Sequence, residues 1–162
     1  MAKIGEYRLR IYELLYEKPI CEYAEEFDNY KRENVLILGN GWAGNEAFKA
    51  AFWAGQFPNT ELNITVVSKN ATKYRNQLLL TEEGADLPAL KEYVEQKHYA
   101  NLQFIDIDIQ LDDNKSGLDL LNFATNRYNY VIISLGDTEN NWLAASEAIS
   151  QIGDARDFYE KY

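Results

Sequence analysis

The stretch "VLILGNGWAGNEAF", Val35 to Phe48, joins a short apolar run to an alanine-rich segment through three glycines. An uninterrupted apolar run is typical of a buried strand, and alanines at three- and four-residue steps give a helix one small face. The glycines between them follow a GxGxxG spacing, which permits a tight turn and a close approach of the backbone to a ligand. The stretch therefore predicts a strand, a phosphate-binding loop and a helix in succession.

The loop consists of Gly39, Asn40, Gly41, Trp42, Ala43 and Gly44. We expect the first glycine to make the turn, the second to bring backbone N–H groups to a pyrophosphate, and the third to let the helix approach the strand. The positive end of the helix would then face the phosphates. A tight turn without a ligand is the alternative, and Trp42 either stacks on a ligand or packs under the amino-terminal helices.

Strand and helix patterns alternate along the rest of the chain. The predicted strands are Asn34 to Leu38, Leu62 to Val67, Leu102 to Ile109 and Tyr130 to Leu135, and the predicted helices are Ala43 to Gln56, Leu87 to His98, Leu118 to Thr125 and Glu139 to Ile149. A strand followed by a helix, four times over, favours parallel strands with right-handed crossovers. The fold class is therefore α/β, a Rossmann-like three-layer sandwich with a mostly parallel sheet of at least four strands.

A helical extension, residues 1–31, precedes the Rossmann-like domain of residues 32–162. Apolar residues at helical spacing predict helices over Ile4 to Leu15 and over Ile20 to Tyr30, separated by Pro19. The extension would therefore pack on the domain as a pair of amphipathic helices.

The predicted sheet is incomplete, because a full dinucleotide fold has about six strands. A half-sheet completed by a partner and a fragment of a longer protein both fit this count. Three aromatic residues of the first helix after the glycine loop, Phe48, Phe52 and Trp53, also need a cover. The amino-terminal helices or a second copy of the chain would supply it, and we predict a homodimer.

The chain of 162 residues carries 26 acidic and 16 basic side chains, a net charge of -10. So acidic a surface disfavours nucleic-acid and anionic-membrane partners. The apolar runs are far shorter than the roughly 20 residues of a membrane span, and the first six residues hold no signal core, so we expect a cytoplasmic protein. The single cysteine excludes an internal disulfide, and one cysteine with one histidine excludes a Cys/His metal cluster.

The second predicted strand ends differently from that of a site for NAD, which normally places an acidic residue there for the ribose hydroxyls. This chain has Ser68 at that position, and Lys69, Lys73 and Arg75 follow it. A hydroxyl and cations suit a 2′-phosphate, so NADP is favoured over NAD as the cofactor. A solvated basic loop is the alternative.

The fourth predicted strand is followed by Gly136, Asp137 and Asn140, on the same edge of the sheet as the glycine loop. Ligands of open parallel sheets bind at that edge. Asp137 would face a ribose, a nicotinamide amide or a metal-bound phosphate, or it would cap the helix that begins next to it.

The pairing of "VLILGNGWAG" with "VIISLGDTENN" resembles the TrkA-N type of Rossmann domain, the NAD(H)-binding regulatory module of potassium transporters and channels and of related bacterial sensors. The resemblance covers about Asn34 to Ile149. It implies that the glycine loop holds the pyrophosphate and that a Gly-Asp-(x)-x-Asn run follows the fourth strand. Ser68 stands where that family has an acidic residue, and Trp42 where it often has arginine.

The segment "NQLLLTEEGADLP", Asn76 to Pro88, is similar to the segment after the second strand in the ThiF and ubiquitin-activating (adenylating) superfamily. The similarity implies an ATP or AMP site in which Asp137 corresponds to the metal-binding aspartate. Asn76 stands where that family has its ATP-binding arginine, and lysines are missing on both sides of Pro88. The kinship therefore implies a catalytically degenerate scaffold, unless Arg75 substitutes through a one-residue shift.

Together these patterns predict a domain that binds an adenine (di)nucleotide, NADP(H) before NAD(H), as a regulatory or sensing module. The sequence holds no set of residues with recognisable catalytic spacing, so enzymatic activity is left open. A degenerate ThiF-like scaffold and an NADP-dependent oxidoreductase are the alternatives. The oxidoreductase would need a proton donor such as Tyr74, Lys73 or His98 near the nicotinamide.

Overall fold

The structure, a computed structural model, describes residues 2–80, 100–109, 111–112 and 115–152. Its helices are α1 (Ala2–Glu17), α2 (Trp42–Ala54), α3 (Ala71–Leu80), α4 (Phe123–Asn126) and α5 (Thr138–Ile152). Its strands are β1 (Glu25–Glu26), β2 (Lys31–Leu38), β3 (Thr60–Ser68), β4 (Asn101–Asp106), β5 (Leu111–Asp112), β6 (Lys115–Ser116) and β7 (Tyr130–Ile133). Two 3-10 helices are present at Ile20–Glu22 and Gly117–Leu121.

A five-stranded sheet organises these elements, with the parallel strands in the order β4, β3, β2, β7. β3 pairs with β2 along the whole length of β2. On the other side of β2, β1 pairs antiparallel with its first residues and β7 pairs parallel with its last residues. Strands in the order third, second, first, fourth form the first part of a doubly wound sheet. The predicted α/β fold, a mostly parallel Rossmann-like sheet with a helix before it, is therefore confirmed.

Both faces of the sheet are covered, which makes three layers. Alternation along β2 sends Val35 and Ile37 into a core with α1, α2 and α3, and Leu36 and Leu38 into a core with α4, α5 and the second 3-10 helix. Because this strand is buried on both faces, it appears in the sequence as an uninterrupted apolar run.

Helix α1 occupies the position of the first predicted helix and packs on α2. Leu15 joins the core that contains Phe48 and Phe52, both almost fully buried. Phe48 also packs against Tyr74 and Phe104, and Trp53 remains 41% exposed. A buried carboxylate reinforces the packing of α1 on α2, since Glu46 on α2 accepts a hydrogen bond from Arg8 on α1 at 2.8 Å. Within the described residues, no helix has the length and apolarity needed to cross a membrane.

The predicted helix over Ile20 to Tyr30 is wrong. The chain makes a 3-10 turn and then strand β1, and its aromatic side chains are held by tertiary contacts instead of a helix face. Tyr23 packs edge-on against Tyr130, and Phe27 stacks on Tyr30 with ring centroids 4.7 Å apart. The aromatic residues at three- and four-residue steps therefore make these contacts and do not line one face of a helix. Their helical spacing was coincidental.

Other boundaries also differ from the prediction. The helix expected over Leu118 to Thr125 is interrupted at Asn122, whose positive φ of 45° separates the 3-10 helix from α4. Helix α3 forms where the sequence suggested only a basic segment, and the antiparallel hairpin of β5 and β6 was not predicted. The predicted helix Leu87 to His98 lies outside the described residues.

Candidate functional site

A pocket of about 490 Å³ lies at the carboxyl ends of the parallel strands. Its wall is formed by the loops that follow β2, β3, β4 and β7. The strand order reverses between β2 and β7, and open α/β sheets bind their ligands at such a switch point. The volume falls within the roughly 300–1,000 Å³ that is usual for small-molecule sites.

Most of the predicted site residues meet in this pocket. Its lining includes Gly39, Asn40, Gly41, Trp42, Ala43, Ser68, Lys69 and Gly136. Four other predicted residues, Gly44, Lys73, Arg75 and Asp137, are not part of the lining. Lys73 and Arg75 belong to α3, a helix that the sequence did not predict.

The three glycines of the loop differ in whether packing requires a glycine at their positions. Gly39 has a φ of +98°, and a Cβ there would lie 2.0 Å from the backbone oxygen of Ser134. A Cβ at Gly44 would lie 2.2 Å from the backbone oxygen of Gly39. Gly41 has an ordinary φ of -67°, and its Cβ would meet nothing within 4 Å. Packing therefore requires the first and third glycines, but it does not explain the second.

The positive end of α2 faces the pocket. The helix begins at Trp42 with Gly41 as its N-cap, and both residues line the pocket together with Ala43. The first N–H groups of a helix have no partner within it and carry partial positive charge. The tryptophan side chain is 61% exposed at the pocket rim, so it does not pack under α1.

A network of neutral side chains links the loop after β2 to the loop after β3. The Asn40 side-chain amide donates to Asn70 Oδ1 at 2.9 Å, and Ser68 Oγ donates to the same oxygen at 3.3 Å. Asn70 was not predicted as a site residue, although it lies two positions after Ser68. These groups present hydroxyl and amide functions, not a carboxylate, at the end of the second parallel strand.

The charged groups of the pocket form one ion pair. Lys69 Nζ lies 3.3 Å from Asp108 Oδ2, and both residues line the pocket. Asp108 was missed because the predicted strand ran through Ile109, whereas β4 ends at Asp106 and the next residues turn toward the pocket. Asp106 itself accepts a hydrogen bond from Thr72 N–H at the start of α3, which lowers the pKa of its carboxyl.

Asp137 caps helix α5. One oxygen of its carboxylate accepts the backbone N–H of Asn140 at 2.8 Å, and the other accepts the side-chain amide of that residue at 2.6 Å. These hydrogen bonds lower the pKa of the Asp137 carboxyl. Of the two roles considered for Asp137, the structure has the cap, and Asn140 lines the pocket instead.

Tyr74, considered above as a proton donor, lies away from the pocket lining. Its hydroxyl donates to Asn45 Oδ1 at 2.5 Å inside the core of α2 and α3, and burial raises its pKa. His98 lies outside the described residues. Among the residues that the structure describes, no group of three or more His, Cys, Asp or Glu side chains is placed to hold a metal ion.

The comparisons with known proteins yield no relative. No protein-family model matches the sequence, and neither a curated protein nor a solved structure is significantly similar to the chain. The geometry of the pocket therefore carries the functional assignment.

Proposed function

We propose that this chain binds an adenine (di)nucleotide in the pocket at the carboxyl end of its sheet and acts as a regulatory or sensing module. The observation that carries the proposal is Gly41. Its backbone conformation suits any residue and its surroundings leave room for a side chain, yet it faces the pocket as the N-cap of α2. A ligand that touches the backbone at this point gives a reason for glycine that packing does not give.

The pyrophosphate would lie against the N-terminus of α2, where unpaired N–H groups and the helix dipole favour an anion. The chain has a net charge of -10, so a local positive site of this kind is what an anionic ligand needs. The adenosine half would extend toward Ser68, Lys69 and Asn70, and the other half toward Gly136 and Asn140, which line the opposite side.

The preference for NADP(H) over NAD(H) rests on Lys69 alone among the predicted cations, since Lys73 and Arg75 do not line the pocket. A 2′-phosphate would have to replace Asp108 as the partner of Lys69. The carboxylate of Asp108 would repel this 2′-phosphate, so we expect the chain to bind NADP(H) only modestly more tightly than NAD(H).

A regulatory role fits the chemistry of the lining better than a reaction does. Among the described lining residues, the ionisable side chains are Lys69 and Asp108, and they are paired with each other. A nucleotide would instead connect the loops after β2, β3 and β7, so occupancy would change the rigidity of this edge of the sheet. That change is a signal that a neighbouring domain or protein can read.

Titration calorimetry with NADP(H), NAD(H), ATP and AMP tests the proposal. Gly41→Val should leave the fold intact and weaken binding by roughly 10- to 100-fold, the equivalent of one or two lost charge-assisted hydrogen bonds. Ser146→Val, at an exposed position of α5 outside the pocket lining, is the matched control and should bind as the wild type does.

Each outcome has a clear meaning. Binding of a dinucleotide that Gly41→Val removes supports the proposal and the TrkA-N resemblance, whereas binding of ATP alone favours the degenerate adenylating scaffold. No binding of any of the four ligands, or equal binding by both variants, would overturn the proposal and leave the glycine loop as a turn.

A further inference from the structure

Strand β7 lies at an outer edge of the sheet formed by the described residues. Within the described residues it pairs with β2 and with no other strand. Its sequence, Tyr-Val-Ile-Ile, contains neither a charge nor a proline, and all four side chains are half-buried. Edge strands are usually protected from further pairing by charged side chains, prolines or bulges. β7 carries none of these and has the composition of an interior strand.

The hydrogen-bonding groups of this edge can be assigned from the ladder with β2. Ser134 N–H donates to the backbone oxygen of Leu38 at 2.8 Å, so this residue faces β2. Backbone groups of successive residues in a strand point to alternate sides. The N–H and C=O groups of Ile133 and Val131 therefore point outward, away from β2.

Helix α5 presents an apolar flank beside this edge. Gln151 donates to Asp119 on the second 3-10 helix at 2.9 Å, so that flank of α5 faces toward β4. Ala144 and Ala148 face the sheet. At 100° per residue, the flank of α5 that points away from the second 3-10 helix contains Trp142, Ile149 and Ile152, with the buried Ala145 between them. Trp142 is 45%, Ile149 38% and Ile152 36% exposed.

The strand edge and the flank fit a second copy of the same surface. Two identical β7 strands related by a two-fold axis and running antiparallel can exchange all their outward N–H and C=O groups. The same axis brings the two α5 flanks together on one face of the joined sheet. The β7 edge and the α5 flank carry no charged side chain among the described residues, which matters because two chains of net charge -10 repel each other elsewhere. A complete doubly wound sheet continues at this edge with its fifth strand.

We infer that the outer edge of β7 and the flank of α5 formed by Trp142, Ile149 and Ile152 are the interface of a homodimer, with the two β7 strands paired antiparallel across a two-fold axis. The pairing needs no nucleotide, so it stands whether or not the pocket binds one. It completes the sheet that four parallel strands leave open, and it places the interface away from α1.

Sedimentation of the purified full chain from micromolar to millimolar concentration tests the interface. The wild type should move from the chain mass of 18.7 kDa to twice that value. Ile149→Glu should weaken association at least tenfold, because two carboxylates would face a desolvated apolar contact. Leu120→Glu makes the same chemical change at a 73% exposed position on the second 3-10 helix, outside this surface, and should dimerise like the wild type.

Hydrogen exchange of the wild type supplies a measurement that needs no substitution. The amides of Val131 and Ile133 should gain protection as concentration rises, and other edge amides such as those of β4 should not. A wild type that stays monomeric at all concentrations overturns the inference. Dimers that persist in Ile149→Glu, or that form without protecting these two amides, also overturn it because the interface is then elsewhere.

Discussion

The two ends of the parallel sheet use polar residues in opposite ways. At the amino end, Asn34, Asn63 and Asn101 occupy one register across three strands. The Asn63 amide donates to Asn34 Oδ1 at 2.9 Å, and the Asn101 amide donates to Asn63 Oδ1 at 2.8 Å. At the carboxyl end, glycines turn the chain and leave helix N–H groups facing a pocket. One end is closed by its own side chains, and the other is open to a ligand.

The row of Asn34, Asn63 and Asn101, here called the asparagine ladder, is also linked to the turn that leads into β7. Asn129, in the turn before that strand, accepts the backbone N–H of Asn34 at 2.9 Å and donates to the backbone oxygen of Arg32 at 3.0 Å. Side-chain amides offer both donors and acceptors, so a row of them can satisfy itself without water. The comparison shows that the closed end fixes register while the open end carries the candidate site.

Glu33, one residue before the ladder, is the exception at the closed end. Its side chain is fully buried, and neither carboxylate oxygen has a hydrogen-bond partner among the described residues. Burial raises the pKa of this carboxyl to about 7. The side chains next to it on β2 have hydrogen-bond partners. At the closed end, ionisation of Glu33 therefore lowers the stability of the folded chain.

Among the variants that test this difference between the two ends, Gly39→Ala at the open end is expected to have the largest effect. The new Cβ would lie 2.0 Å from a backbone oxygen, in a φ region that alanine rarely adopts. We expect a loss of roughly 3–5 kcal/mol in the free energy of unfolding, measured by urea denaturation. Gly41→Ala is the matched control and should change it by less than about 1 kcal/mol. Equal losses in both variants would contradict the assignment of separate roles.

The next effect concerns the closed end, through Glu33→Gln. The pKa of Glu33 is about 7 in the folded chain and 4.5 in an ordinary setting, so the folded state binds the proton more tightly. The free energy of unfolding of the wild type should therefore fall as pH rises from about 4.5 to about 7 and then level off. Above pH 7, Glu33→Gln should be more stable than the wild type by up to about 3 kcal/mol.

Thermal or urea unfolding between pH 4 and pH 8 measures this difference. The two stability curves should coincide at the acid end, where both side chains are neutral, and separate as the wild-type carboxyl ionises. Parallel curves across the whole range would contradict a buried, unpartnered Glu33.

The smallest effect is expected in the asparagine ladder and tests whether its side chains act as a connected row. Asn63→Ala removes the middle amide and both bonds that it makes with Asn34 and Asn101. We expect a loss of about 1–2 kcal/mol in the free energy of unfolding. Asn101→Ala removes only the outer bond, at an exposed position, and should cost less. If the two variants lost the same free energy, the ladder would not act as a connected row.

Much of the fold and part of the site could be predicted from local patterns. β2, the glycine loop and α2 follow from an apolar run, a GxGxxG spacing and a small helix face, because these features act within a few residues of each other. α3 was missed because its three leucines are consecutive and do not form an apolar stripe at helical spacing, and its first turn is capped by Asp106 from a different strand. Asp108 was missed because the end of β4 is set by pairing with β3, not by the apolar pattern.

The sequence by itself determined the parallel α/β sheet and the strand, loop and helix around Gly39, since strand and helix periodicities and glycine spacing are local properties. Only the tertiary structure decided that Gly41 is unexplained by packing, that Asp137 caps a helix, and that Lys69 is paired with Asp108. It also decided that Glu33 is buried alone beside a ladder of asparagines. The Lys69–Asp108 pair and the asparagine ladder depend on which strands become neighbours, and the bonds of the ladder and of Asn129 join residues 29 to 97 positions apart in the chain. The Asp137 cap spans only three residues, so the sequence offered it as one alternative and the side-chain positions decided between them.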